Sequence, residues 1–321
     1  MKLYDDMVKT EELCYKNFGK CVKLTNGVIE LIVTLEVGPR IIRFSAVGGE
    51  NIFFEDNERT INHNNQKEIY AELYGEDLKP WAILGGHRIW TSPEAFPRSY
   101  VPDYESEYEP IENGIKVVSP VQSWTQLQPE FEITIIGENE VKVVHRLKNC
   151  GAWPIEFSVW ALSVCDTGST LFVPQSSRKV EISRRSEALH NRTLTLWEYS
   201  NMADERVTWG KKYIALRQDK NISQPFKFGI NNEDGYAICF NHGNLFIKKY
   251  DTVVFGNYPD GGSSSFEAYT NDALLEVESI GELKKIESGD MNEHTEYWKL
   301  FTGISVPQSE DEVDEIVAKY V

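Results

Sequence analysis

The feature that most constrains this chain is an alternation of apolar and polar residues that recurs along most of its length, whereas helical periodicity is rare. Residues that alternate in this way place their side chains on opposite faces of a β-strand. The segments 131–136 and 141–147 alternate and flank residues 137–140, Gly-Glu-Asn-Glu, which is a β-hairpin signal. A longer segment of the same kind covers residues 155–164. These patterns predict a chain built mainly from antiparallel strands.

About sixteen such strands, at this spacing, favour two large sheets that pack face to face. No internal repeat or low-complexity linker is visible, so we expect a single domain over residues 1–321. One helix is predicted at the C-terminus, where Ser309 and Glu312 form a capping box before an apolar stripe. The predicted fold class is therefore all-β, with antiparallel sheets and a short C-terminal helix.

Composition and charge narrow the classes of partner. The chain carries 33 basic and 50 acidic residues, for a net charge of -17. Such a surface repels phosphate backbones and anionic lipids, so neither nucleic acid nor membrane is expected as a partner. The sequence has no apolar run long enough to span a bilayer and no apolar signal region at its start. The five cysteines match no disulfide framework. We therefore expect a reduced, cytoplasmic protein of undetermined oligomeric state.

Two long stretches, residues 56–102 and 175–209, interrupt the strand pattern. Long loops in a compact β-protein are usually either functional or disordered. Both stretches contain aromatic residues and the first also contains several prolines, which argues against disorder. We therefore expect these loops to contribute to function. No phosphate-binding loop, dinucleotide fingerprint or metal-ligand spacing occurs, so neither a cofactor nor a metal is predicted.

The first candidate site is the segment 85–90, Gly-Gly-His-Arg-Ile-Trp. Paired glycines let the backbone approach a ligand closely. His87 can exchange a proton near neutral pH, and Arg88 offers a fork of donors that suits hydroxyl pairs or carboxylates. Trp90 could stack on a sugar ring. The structural alternative is a tight turn with an ion-paired arginine and a packed tryptophan.

The second candidate site lies in the segment 274–279, where Glu276 and Glu278 are two residues apart and so share one face of a strand. Crowding of two carboxylates raises the pKa of one of them, as a general base requires. The alternative is an ordinary solvent-exposed sheet face.

The third candidate combines two further strands. Strict alternation places Lys248 on the same face as Phe246, which suggests the lining of a cleft rather than core. By the same rule Glu267 shares a face with Tyr269. The alternative is that these charges are simply solvated.

Six segments, in this order along nearly the whole chain, resemble the galactose mutarotase-like superfamily. The similarity is closer to a bacterial family of unknown function on that fold. The segments are Asn26-Gly27-Val28, Gly38-Pro39-Arg40-Ile41, the stretch 85–90, Leu147-Lys148-Asn149 with Trp153-Pro154-Ile155, Leu275-Glu276-Val277-Glu278, and Glu296-Tyr297-Trp298.

The resemblance implies a large β-supersandwich with a concave sugar-binding face. Mutarotases of this fold open an aldose ring with a glutamate base and a histidine acid, and Glu276 is similar in position to that glutamate. The matching histidine belongs to the strand after the Asn turn, but residues 157–161, Phe-Ser-Val-Trp-Ala, contain none. The resemblance therefore leaves His87 as the candidate acid, and it adds Arg40 as a candidate substrate-binding residue.

Two functions remain open, both with a small carbohydrate as the partner. In the first, the chain is a sugar 1-epimerase or related isomerase, with Glu276 and His87 as base and acid. Arg88 and Lys248 would then hold hydroxyls or a carboxylate, beside Trp90, Glu267, Glu278 and Arg40. In the second, the chain binds carbohydrate on the same scaffold without catalysis.

Overall fold

A computed structural model describes residues 8–178 and 190–321. Part of the predicted second loop, residues 179–189, and the chain start therefore lie outside the described residues. Within the described ranges the strands are β1 Lys9–Cys14, β2 Lys20–Thr25, β3 Ile29–Thr34, β4 Arg40–Ala46, β5 Gly86–Ser92, β6 Glu107–Ile111, β7 Gly114–Val118, β8 Leu127–Ile135, β9 Glu140–Asn149, β10 Ile155–Cys165, β11 Thr170–Pro174, β12 Leu194–Leu196, β13 Val207–Trp209, β14 Tyr213–Arg217, β15 Phe226–Ile230, β16 Tyr236–Asn241, β17 Asn244–Tyr250, β18 Phe266–Thr270, β19 Leu275–Ile280, β20 Lys284–Ile286 and β21 Met291–Thr302.

These strands form two antiparallel sheets, which confirms the predicted all-β fold class. Sheet I has the order β1-β2-β3-β4-β5-β10-β19-β18-β15-β12, with β20 paired to β10. Sheet II has the order β13-β14-β11-β16-β17-β21-β9-β8-β7-β6. The predicted hairpin around residues 137–140 is the β8–β9 pair. In β8, buried and half-buried residues alternate strictly, as the sequence pattern requires.

The main hydrophobic core lies between the two sheets and draws side chains from both. Its centre is aromatic: the Trp298 ring lies 5.7 Å from the ring centroids of Phe44, Phe53 and Phe246. Because large apolar side chains from facing strands interlock here, the inner faces of the sheets are fixed against each other. The opposite face of each sheet, turned away from this core, is called its outer face below.

Two helices cover the outer faces. Helix α1, Lys67–Tyr74, packs Tyr70 and Tyr74 over sheet I, and helix α2, Glu310–Tyr320, packs Val313 over sheet II. The predicted cap of α2 is confirmed, since the Ser309 side chain accepts a hydrogen bond from the Glu312 backbone N–H. Shorter helical turns are Lys16–Phe18, Asn64–Gln66 and Asp260–Ser263. In the described ranges, no helix reaches the length and apolarity needed to cross a membrane.

The long loop 56–102 contains helix α1, which the sequence analysis did not predict. The helix forms here because Tyr70 and Tyr74, four residues apart, bury together on one of its faces. Just before the loop, residues 52–54 form no regular strand and make one isolated bridge, Phe53 to Cys165. Phe53 is buried in the core between the sheets.

Candidate functional site

Strand alternation gathers polar and aromatic side chains on the outer face of sheet I. Arg88 on β5 and Glu278 on β19 both lie opposite Leu162 of β10. Glu276 precedes Glu278 by two residues, so it points the same way, and it lies opposite Tyr269 of β18. The central strands of the sheet, rather than a loop, therefore position these side chains.

A cavity of about 350 Å³ lies over this face. We call it the aromatic cavity because of its lining rings. Sheet I supplies Arg88, Trp90 and Glu276, while the loops supply His63 and Tyr199. Its other aromatic residues are Trp81, Tyr100, Trp160, Trp197 and Tyr269. Neighbouring rings contact one another at tilted or edge-on angles, so they form a continuous aromatic wall.

The central charged pair of the aromatic cavity is Arg88 with Glu276. Arg88 Nη2 donates a hydrogen bond to Glu276 Oε1 over 2.9 Å. The guanidinium carbon also lies 4.3 Å from the ring centroid of Trp90, which is a cation–π contact. Glu276 is 8% exposed, so its carboxylate is held in a defined position at the cavity wall. A fixed carboxylate beside aromatic rings can bind a sugar hydroxyl or take a proton from it.

Lys227 on β15 forms a second charged cluster beside this pair. Its ammonium lies 2.8 Å from Glu267 and 3.1 Å from Glu278, and it contacts the rings of Trp160 and Trp197. Burial raises the pKa of Glu278 to about 7, although Lys227 opposes this shift. Burial also raises the pKa of Glu267 well above its ordinary value. The cluster therefore retains a proton into the neutral pH range, at the edge of the aromatic cavity.

His63 is a titratable group in the cavity wall that comes from the long loop. Its Nδ1 lies 3.1 Å from the Tyr70 hydroxyl, and that hydroxyl donates to the Tyr100 carbonyl oxygen over 2.9 Å. Because the Tyr70 proton is committed to Tyr100, neutral His63 must donate from Nδ1 and keep the lone pair on Nε2. Burial lowers the pKa of His63 below its ordinary value.

The structure brings together only part of the predicted site. Arg88, Trp90 and Glu276 line the aromatic cavity. Glu267 and Glu278 lie directly behind it, held by Lys227, and are buried. Arg40 lines a smaller neighbouring cavity that also includes Arg88.

His87 does not face the cavity, contrary to the predicted pairing with Glu276. It precedes Arg88 by one residue and so points to the inner face of sheet I, where it is 0% exposed. Its Nδ1 lies 2.8 Å from Ser163 Oγ, and burial lowers its pKa well below the ordinary range. His87 and Glu276 lie on opposite faces of one sheet and cannot act on the same sugar.

Lys248 also lies inside the sandwich, so its prediction as a cleft-lining residue is wrong. The side chain is 0% exposed and shares its face with Phe246, as predicted, but that face is the core. Its ammonium donates to the carbonyl oxygens of Ala161 and Val277 and pairs with Glu296 over 2.8 Å. Alternation determined which residues share a face, but not which face was buried.

Among residues 8–178 and 190–321, one buried group has metal-ligand chemistry: atoms of His87, His145 and Glu296 lie within 4.8 Å of one another. His145 Nδ1 lies 2.9 Å from the His294 carbonyl oxygen, so its Nε2 is free to accept from His87 Nε2 at 2.6 Å. Glu296 Oε2 accepts from Trp298 Nε1 over 2.8 Å. Every side chain of the group already has a protein partner, so hydrogen bonding accounts for the cluster without an ion.

Sequence reasoning missed His63 and Lys227 as site residues. Lys227 could have been found, since it interrupts an apolar strand between Phe226 and Phe228. His63 has no such signal, because it lies in an irregular loop whose path depends on the sheet beneath it.

Comparison with known proteins gives a result at the level of fold. No protein-family model matches the chain, and no curated protein matches it. A solved structure of an aldose 1-epimerase candidate from Klebsiella pneumoniae is similar, with a TM-score of 0.57, 12% identity, and coverage of 97% of this chain and 86% of that one. A galactose mutarotase-like protein from Lactobacillus casei gives a TM-score of 0.51 at 8% identity, covering 88% and 100%.

A TPR-domain containing protein from Parabacteroides distasonis is also similar, with a TM-score of 0.55 and 10% identity. The match covers 90% of this chain but only 49% of that protein, so the present chain spans about half of its length. At these identities the likeness concerns the backbone architecture alone. Together with the two antiparallel sheets described above, it shows that the chain has the galactose mutarotase-like fold.

Proposed function

We propose that the chain binds a carbohydrate in the aromatic cavity. The observation that carries this proposal is the combination of clustered tryptophan and tyrosine rings with the fixed Arg88–Glu276 pair in one cavity wall. The apolar face of a sugar ring packs against aromatic rings, and its hydroxyls bond to charged groups at the edge. A volume of about 350 Å³ falls in the usual range of small-molecule sites. The likeness to mutarotase-like proteins supports the same ligand class.

Binding can be tested by titrating a panel of monosaccharides and following tryptophan fluorescence and heat. Trp197 comes from a loop over the cavity and contacts Lys227, so Trp197→Ala should weaken binding at least tenfold with little effect on folding. Trp153→Ala is the matched control, since this side chain is 81% exposed and lies outside the cavity lining. Equal affinities for both variants and the wild type would contradict the proposed location.

A second candidate function, epimerisation at the anomeric carbon, is favoured by the presence of His63 and Glu276 in the same wall. Glu276 would take the proton of the anomeric hydroxyl as the C1 carbonyl forms and the bond from C1 to the ring oxygen breaks. Protonated His63 would donate its proton to that ring oxygen. Rotation about C1–C2 and reversal of the same steps would give the other anomer, with no net change in oxidation state.

NMR exchange spectroscopy of the two anomers tests this chemistry directly. Glu276→Gln should slow exchange by about a hundredfold or more, the usual contribution of a general base, while sugar binding persists. If His63 is the acid, the rate should fall as pH rises through its pKa, because the protonated form is lost. His63→Gln should remove that pH dependence, and His242→Gln, outside the cavity lining, should not. Unchanged exchange in Glu276→Gln would exclude Glu276 as the base, and wild-type exchange no faster than in protein-free solution would leave a binding protein without catalysis.

A further inference from the structure

Two buried arginines meet beside the aromatic cavity. Arg40, at the start of β4, and Arg88 both line a smaller cavity of about 50 Å³, and they are 3% and 4% exposed. Each guanidinium is tied to one carboxylate, Arg40 to Asp103 over 3.0 Å and Arg88 to Glu276 over 2.9 Å. Arg88 belongs to both cavities, so the smaller one is contiguous with the proposed sugar site.

Both guanidiniums keep donors that the protein does not use. Nε and Nη1 of Arg40, and the same two atoms of Arg88, have no acceptor among residues 8–178 and 190–321. A buried donor left without a partner destabilises the folded chain, and a charged one does so more strongly. Four such nitrogens belong to two arginines that line one small cavity, which favours an acceptor from outside the chain.

The charges around the smaller cavity point to an anion as that acceptor. Burial lowers the pKa of Arg40; Asp103 opposes this, and the nearby Arg88 cation lowers it further. Arg98 lines the same cavity and brings a third guanidinium. Because the two buried cations repel each other, an anion placed against both of them relieves the repulsion and accepts their free N–H groups.

We propose that the smaller cavity is an oxyanion subsite and that the carbohydrate is an acidic sugar, whose carboxylate or phosphate group binds Arg40 and Arg88. This inference rests on the proposed carbohydrate-binding function. The planar fork of arginine matches either oxyanion in a two-point contact. Since Arg88 is shared, the acidic substituent lies next to a sugar ring that stacks in the aromatic cavity.

The test compares a neutral hexose, the corresponding hexuronate and the corresponding hexose 6-phosphate by calorimetry at constant ionic strength. Either the hexuronate or the hexose 6-phosphate should bind the wild-type chain at least tenfold more tightly than the neutral hexose. The tighter of the two acidic sugars shows whether the subsite prefers a carboxylate or a phosphate. Arg40→Gln should reduce this preference to threefold or less. Arg43→Gln is the matched control. Arg43 lies on the same strand and pairs with Glu30 over 2.9 Å, and its replacement should leave the preference for the acidic sugar unchanged. Arg40→Lys, which retains charge but not the fork, should give an intermediate preference.

The outcomes separate this inference from the function on which it rests. Equal affinity of the wild-type chain for acidic and neutral sugars would overturn the acidic class and leave the sugar site standing. Binding of no sugar in the panel would overturn both. The wild-type comparison decides the question even if Arg40→Gln fails to fold, since it needs no variant.

Discussion

Glu276 and Glu278 lie two residues apart on one strand and share one face, yet their surroundings differ. Glu276 reaches the cavity wall and binds the Arg88 guanidinium. Glu278 is fully buried, accepts from Trp160 Nε1 and shares Lys227 with a second carboxylate, and burial raises its pKa to about 7. One carboxylate is thus presented to a ligand, while its neighbour holds a proton that can respond to pH near neutrality.

Three buried histidines give the molecule a defined response to acid. Burial lowers the pKa of His145 and of His294 to about 3, and that of His87 well below its ordinary value. Between pH 6.5 and 3 these three side chains bind more protons in the unfolded chain than in the folded one, so their contribution to stability falls as pH falls. From pH 7.5 to 5.5 the three histidines together should lower the free energy of unfolding by about 4 kcal/mol, whereas protonation of buried Glu267 and Glu278 acts in the opposite direction.

Urea unfolding at the two pH values gives the net change in stability, and the NMR shifts of the histidine ring protons show whether the three histidines stay neutral in the folded chain. These three rings should not titrate down to pH 5 in the folded chain. Titration of any of them near pH 6.5 would contradict the buried, neutral network.

At the scale of elements, β10 organises the site. It pairs with β5 on one side and β19 on the other, and so brings Arg88 and Glu276 together although they are 188 residues apart. Its outer face adds Trp160 to the cavity, and its inner face adds Ser163 to the polar network. The family resemblance predicts a histidine in this strand, but residues 157–161 contain none. The strand instead supplies the Trp160 ring to the cavity.

Helix α2 offers a local test of element stability. Ser309→Ala removes the hydroxyl that accepts from the Glu312 N–H, and the loss of such a cap costs about 1 kcal/mol. Equilibrium unfolding should show this decrease. Ser305→Ala, an exposed serine shortly before the cap, should change stability by less than about 0.5 kcal/mol. Equal effects of the two substitutions would rule out the cap as the cause.

For the whole molecule, the alternation of side chains was sufficient to predict two antiparallel sheets, because burial of one strand face imposes that period directly. It also predicted that Glu276 shares a strand face with Glu278, and Lys248 with Phe246. It could not tell that Lys248 and His87 face the interior, since the pattern is the same for a polar core layer and a polar cleft. Nor could it place His63, whose position depends on packing across sheet I.

The two outer faces have different coverings, and this has a practical consequence. Helix α2 and Val321 pack on sheet II, whereas the aromatic cavity lies over sheet I. The carboxyl end of the chain and the cavity are thus on opposite sides of the sandwich. An affinity tag, fluorophore or sensor surface attached after Val321 would hold the molecule with its cavity pointing away from the support and open to solution.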